Sequence, residues 1–236
     1  MKPIKSFAVA MAGLALSVVT SHAQLTLNFA STPGATIQFN GAASSFQFNS
    51  STLVLPAPIG AFYVGSQWSI GSEVGGTGSA LGLLGVVNNS PFIYGPITTP
   101  SPGVQIANVT GPLGALAIND GVGNFLTGNV NWIQLDTYNF TGGINSTLTF
   151  NVTGLAYAGT NPDLATLVTD GPAAMSLTFQ FSPGKMLNQL TTGSGPYDTS
   201  FSGSLSVPEP GTFALMVCGL TGLLVMRRRS AMKSAG

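Results

Sequence analysis

The chain has 236 residues, and charged side chains make up 6% of it, against roughly 25% in ordinary soluble domains. Between Gln24 and Val207 one basic residue, Lys185, stands against six carboxylates, a net charge of −5 that gives nucleic acid no cationic footprint. The single His22 and the single Cys218 fall outside that span, which excludes disulfides, zinc sites built on Cys or His, and imidazole-activated nucleophiles within it.

In chain order, Lys2 and Lys5 precede a mostly apolar run from Phe7 to Val19, and Ser21-His22-Ala23 places small residues at −3 and −1 of a cut before Gln24. This is the pattern of a Sec signal peptide over residues 1–23, cleaved between Ala23 and Gln24 after the Sec translocase has engaged it. As a helix the run reaches only about 20 Å, short of the ~30 Å needed to remain as an anchor.

Residues 24–207 read as one all-β exported domain, a β-sandwich or jelly roll, because short β-rich runs are punctuated by Gly, Pro, Asn and Ser. Leu25-Thr26-Leu27-Asn28-Phe29 alternates. Ile37-Gln38-Phe39-Asn40 is echoed by Phe46-Gln47-Phe48-Asn49, and Asn40-Gly41 between them predicts a hairpin. Further strands are expected at 62–70, 80–87, 104–109, 113–118, 130–138, 146–153, 175–181 and 200–206. Asn119-Asp120-Gly121 marks a second tight turn, and one short helix is expected from Asp163 to Val168. Prolines at 91, 96, 100 and 102 mark a long surface loop between Asn88 and Gly103. A membrane barrel is the competing β architecture, but its alternating ten-residue strands and aromatic girdles are not evident.

The chemistry open to this span is that of carboxylates, Tyr, Ser, Thr and one Lys. Asp120 lies in a turn, Asp163 at a helix start, and Asp170-Gly171-Pro172 in another turn. Glu73 falls in the glycine-rich stretch 71–78, and Asp198 follows Pro196-Tyr197. None forms a catalytic constellation, so no catalytic residue is assigned. Gly75-Gly76-Thr77-Gly78 lacks the lysine of a phosphate-binding loop and reads as a flexible connection. No metal ligand set is assigned either. Calcium, which needs only oxygen ligands, is the one cofactor the composition leaves room for. The densest mix of aromatic and hydrogen-bonding residues runs from Asn131 to Tyr138. In a regular strand Trp132, Gln134, Asp136 and Tyr138 share one face, a candidate sugar-binding patch, with Ile133 and Leu135 turned to the core. The other reading of Trp132 is a buried core residue.

At the C-terminal end, Pro208-Glu209-Pro210-Gly211 precedes an apolar stretch from 212 to 226 and then Arg227-Arg228-Arg229. The prolines break preceding structure, the apolar stretch is expected to form a single transmembrane helix, and the arginines hold its end in the cytoplasm. In order, spacing and position the segment resembles a PEP-CTERM sorting signal, and the resemblance covers Val207 to about Ala231. It implies that Pro208, Glu209 and Pro210 are recognised by an exosortase, a membrane transpeptidase-like protease of Gram-negative bacteria that make extracellular polysaccharide. It also implies that the tail, 208–231, anchors the protein transiently in the inner membrane before removal, with residues 232–236 as its cytoplasmic end. A simple single-pass anchor is the alternative.

The expected role is a non-enzymatic structural or interaction protein of the cell surface or biofilm matrix, associated with extracellular polysaccharide. A carbohydrate-binding module, with or without calcium, is the alternative, and a carboxylate-based glycoside hydrolase the third. An exposed aromatic platform favours the module, and two close carboxyls in a cleft favour the hydrolase.

Overall fold

The computed structural model describes residues 24–49, 67–88, 91–140, 143–193 and 195–207. The signal-peptide residues up to Ala23, the motif Pro208, Glu209 and Pro210, the stretch 212–226 and Arg227, Arg228 and Arg229 lie outside the described residues. Among the described residues, no helix is long and apolar enough to cross a membrane. The described residues from Gln24 to Val207 belong to one compact unit.

Its strands are β1 (Thr26–Ser31), β2 (Thr36–Asn40), β3 (Ser45–Asn49), β4 (Trp68–Val74), β5 (Leu84–Asn88), β6 (Phe92–Tyr94) and β7 (Thr98–Ser101). There follow β8 (Val104–Gly111), β9 (Gly114–Asn119), β10 (Phe125–Phe140), β11 (Gly143–Ala156), β12 (Ala173–Phe179), β13 (Tyr197–Thr199) and β14 (Phe201–Ser206). Two helices, α1 (Pro162–Thr169) and α2 (Leu187–Thr192), complete the domain.

The all-β expectation holds, but the sandwich gives way to a closed barrel. Antiparallel pairing runs β10–β11–β12–β14–β1–β4–β5–β9 and returns to β10, an eight-stranded ring. The cause is the length of β10. Its first half pairs β9 from Phe125 to Val130, and its second half pairs β8 from Gln134 to Tyr138. The sheet therefore forks along one strand, and the branch β8–β6–β3–β2–β13 leaves from the fork.

Alternation along each strand explains the closure. Leu27 and Phe29, Leu148 and Phe150, Met175 and Leu177, and Leu205 are buried, while the residues between them face outward. An apolar interior with a hydroxyl-bearing exterior on these strands is the reverse of a barrel adapted to lipid. Burying each such side chain stabilises the fold by roughly 1.5–3 kcal/mol. The branch adds an aromatic cluster, with Phe39 packed on Phe179 at 5.3 Å and Phe48 on Phe201 at 5.3 Å between ring centroids. Tyr94 lies in this core, and burial pushes its hydroxyl pKa up to about 12.

The 37–40 and 46–49 echo proves to be two arms of one hairpin, with Ile37 opposite Phe48 and Phe39 opposite Phe46. Two other expectations are corrected. Residues 80–83 precede the strand, which begins at Leu84, whereas of 62–70 only 67–70 are described, and Trp68 to Ile70 are strand as expected. The proline-marked loop contains β6 and β7. Pro100 fits β7 because that strand pairs only with β8, so a missing N–H can face away from the ladder. Helix α2 had no signal in the sequence pattern.

Candidate functional site

The outward positions of β10, β11, β12, β14 and β1 come into register as cross-strand rows. One row reads Gln134, Thr149, Ser176, Ser204, Asn28. The next reads Asp136, Thr147, Thr178, Ser202, Ala30. A third reads Asn131, Asn151, Ala174, Ser206, Thr26. Neighbouring hydroxyls pair within the rows: Ser176 Oγ with Ser204 Oγ at 3.2 Å, and Thr178 Oγ1 with Ser202 Oγ at 3.2 Å. Asn28 Nδ2 donates to Ser72 Oγ at 3.2 Å, extending the first row onto β4. Such pairs stabilise a sheet by ~0.2–1 kcal/mol each. Asp136 is the only ionisable group in the three rows, and unlike its neighbours along the row it is buried, at 8% exposure.

Of the four residues of the candidate patch, three are joined by hydrogen bonds. Gln134 Nε2 and the Tyr138 hydroxyl both donate to Asp136, the latter at 3.1 Å. Burial first, then the bond to Asp136 and its charge, raise the Tyr138 pKa. Trp132 does not join them. A β-bulge falls between Trp132, opposite Phe150, and Gln134, opposite Thr149, so Ile133 has no counterpart on β11. The extra residue reverses the phase of the strand. Trp132 turns inward onto Phe92 at 4.3 Å, Phe150 at 4.6 Å and Phe46 at 5.3 Å, and Ile133, expected in the core, is 43% exposed. Leu135 is fully buried as expected. None of the aromatic residues in the three rows' strands whose side chains are described is exposed, so these strands show no ring platform there.

Where β1, β12 and β14 meet at one end, the sheet opens into a groove of about 540 Å³. Ser31, Thr178, Gln180, Ser200 and Ser202 line it, together with Ala30 and the backbone-bearing edges of Phe179 and Phe201. The chain creates it at Ser200, where it leaves β13 in the branch sheet and enters β14 in the barrel wall. Thr199 Oγ1 donates to Gln180 O at 2.6 Å, and Phe201 N donates to Ser31 Oγ at 3.3 Å, which pins both sides.

A second polar array lies on β13, β2 and β3. Asp198 Oδ1 accepts from Gln38 Nε2 at 2.9 Å and from Thr36 Oγ1 and Asn49 Nδ2 at 3.4 Å each. Gln47 Nε2 donates to Gln38 Oε1 and Asn49 Oδ1. These groups satisfy one another.

The remaining carboxylates act as rivets. Asp163 is 1% exposed and accepts from Thr77 N at 2.8 Å, Ser79 N at 2.8 Å and Ala80 N at 3.2 Å, as well as from the Thr77 and Ser79 hydroxyls. Burial works against the charge of Asp163, but those bonds outweigh it and hold the carboxyl below its usual pKa. The N-cap of α1 is Asn161, whose Oδ1 accepts from Asp163 N and Leu164 N at 3.1 Å. Asp120 is held low in the same way, burial being outweighed by bonds from Asn124, Val122 and the Tyr157 hydroxyl. The stretch 75–80, expected to be flexible, is thus organised from a helix more than eighty residues away.

Glu73 Oε1 accepts from Gly78 N, and a Cβ on Gly76 would stand 2.4 Å from Glu73 Oε1 and 2.9 Å from Asp163 Oδ1. Two carboxyls do converge there, but both oxygens of Asp163 are occupied by donors and closed to solvent, which a hydrolytic acid or base cannot be. Among the described residues no three of His, Cys, Asp and Glu group as metal ligands.

Fold and surface together define an apolar-cored antiparallel barrel with a hydroxyl- and amide-bearing wall. No family model, curated protein or solved structure matches the chain. The signal for the wall lay in the alternating hydroxyls of Thr147-Leu148-Thr149, Ser176-Leu177-Thr178 and Ser202-Gly203-Ser204, which mark strands on their own and a surface only once the register is known.

Proposed function

We propose that this is an exported, non-enzymatic protein of the cell surface or extracellular matrix that contacts extracellular polysaccharide through the outer wall of β10, β11, β12, β14 and β1. The observation that carries the reading is the set of three registered rows built from Ser, Thr, Asn and Gln, broken only by Ala30 and Ala174, with one carboxylate, the buried Asp136, among them. Sugar polymers present hydroxyl edges, and a wall of neutral donors and acceptors exchanges hydrogen bonds with them without stripping water from charges.

Export and sorting rest on the sequence of the two ends. The Lys2-Lys5 and Ala23-Gln24 signal supports Sec-dependent passage. The motif Pro208-Glu209-Pro210, the apolar stretch 212–226 and Arg227, Arg228 and Arg229 support transient anchoring in the inner membrane of a Gram-negative host and release by an exosortase-type protease. The test is a binding screen of the purified exported protein, Gln24–Val207, against the host's own extracellular polysaccharide. Retention without new reducing ends is the expected result. Release of reducing ends moves the protein to the hydrolases, and no retention refutes the reading.

A further inference from the structure

The groove at the joined ends of β1, β12 and β14 keeps unused hydrogen-bonding capacity. In the Asp198 array on β13, β2 and β3, Asp198 Oδ1 and the Gln38, Gln47 and Asn49 amides bond to one another. Asp163 and Asp120 are saturated by their loops. In the groove, the side chains of Gln180 and Ser200 are exposed and make no hydrogen bond within the described residues. Their backbone positions are nevertheless fixed, because Thr199 Oγ1 is bonded to Gln180 O and the N–H of Phe201 to Ser31 Oγ. With the backbone on both sides of the groove fixed, the ordering left for a ligand to impose is confined to the Gln180 and Ser200 side chains.

Three further observations narrow the ligand. The volume, about 540 Å³, falls within the ~300–1,000 Å³ usual for small-molecule sites. Every lining residue is uncharged, and the rings of Phe179 and Phe201 point away into the core, at 4% and 3% exposure, so the groove offers hydroxyls and an amide. Thr178 and Ser202 belong both to the groove and to the row that continues through Thr147 to Asp136. A row advances one side chain per strand, ~4.8 Å, close to the advance per sugar of an extended, equatorially linked pyranose chain. The only basic residue of the exported span, Lys185, has its Nζ over the Tyr197 ring at 4.4 Å, and the span as a whole is negative. A polyuronate would meet net repulsion and no cation among the residues that line the groove.

We infer that this groove is a subsite for a neutral sugar unit, with the rest of an extended neutral polysaccharide continuing from Thr178 onto Thr147 of the same row, and that acidic polysaccharides are refused. This rests on the polysaccharide-contact reading above and names its site and its ligand class. The mature exported protein is titrated calorimetrically with the host's extracellular polysaccharide, with soluble β-1,4-linked gluco-oligosaccharides and with polymannuronate, each at low and high salt. Gln180→Ala combined with Ser200→Ala removes two exposed side chains and leaves the melting temperature unchanged. It is expected to weaken binding of the neutral chain about tenfold, as the loss of two hydrogen bonds implies, while Thr99→Ala on β7 binds like the parent. Polymannuronate is expected to stay unbound at either salt. Parent-like affinity in the double variant overturns the groove and leaves the broader reading standing. Salt-sensitive polymannuronate binding overturns the neutral-ligand assignment, and failure of the parent to bind any of the three glycans overturns both readings.

Discussion

Replacing Trp132 by alanine separates a core residue from a sugar platform. The indole stands among Phe92, Phe150, Phe46 and Phe48, at 4.3, 4.6, 5.3 and 6.2 Å between centroids. Truncation leaves a hole beneath the fork of β10, where the barrel wall and the branch sheet share one strand and neither can collapse inward alone. The expected loss is about 3–5 kcal/mol, the range for large aromatic truncations. For a domain of this size that lowers the melting temperature by about 6–20 °C. Trp132→Phe supplies a graded comparison. The indole Nε1 is buried without a partner, so phenylalanine removes an unsatisfied donor worth ~1–3 kcal/mol while keeping a ring in the cluster. It should therefore cost much less than alanine. Urea and thermal unfolding followed by circular dichroism measure both, with glycan binding assayed in parallel. Unchanged unfolding in Trp132→Ala together with lost glycan binding would refute the core placement and restore the four-residue patch.

Gly85→Ala should destabilise by at least ~1–3 kcal/mol, because the added Cβ would lie 2.1 Å from Trp68 Cζ2 and that ring is 1% exposed against Phe29; a parent-like urea midpoint would count against the Trp68–Gly85 register. Asp163 and Asp120 both have pKa values lowered by the fold, so their contribution is present above the unfolded-state value of ~3.9 and is lost as pH falls through the folded-state values. Asp163→Asn should flatten that acid limb and lower stability at neutral pH, and an unaltered limb would show that the rivet on 77–80 is not what titrates. Changing Pro208, Glu209 and Pro210 to alanine should leave export intact and retain the protein in the inner membrane, and unchanged release in cell fractionation would contradict the sorting assignment.

Strand positions were legible because a half-buried strand announces itself by alternation, as in Leu148-Thr149-Phe150 or Met175-Ser176-Leu177. The β2–β3 hairpin and the Asn119-Asp120-Gly121 turn were legible for an equally local reason. Partners were not. Nothing in the β10 sequence says that Val130 ends one pairing and Gln134 begins another, because both halves alternate equally well. The bulge at Ile133 was hidden by the apolar pair Trp132-Ile133, which satisfies either phase of the strand. The anchoring of 77–80 by Asp163 needs two segments that meet only in three dimensions, so glycine-rich composition pointed to flexibility where the structure has order. The groove was invisible for the same reason: Gln180 and Ser200 lie twenty residues apart, and only the crossing from β13 to β14 brings them together.

The pairing of β1 with β14 also gives the domain two poles. Thr26 lies opposite Ser206, and Val207 N donates to Leu25 O at 3.2 Å, so the first and last strands of the barrel have their outer ends at one pole. Ala30, Ser31 and Ser202, at the far ends of the same strands, border the groove, roughly five strand steps or ~17 Å away. Anything that holds the protein through Val207 therefore grips it from behind, with the groove directed away from the point of attachment.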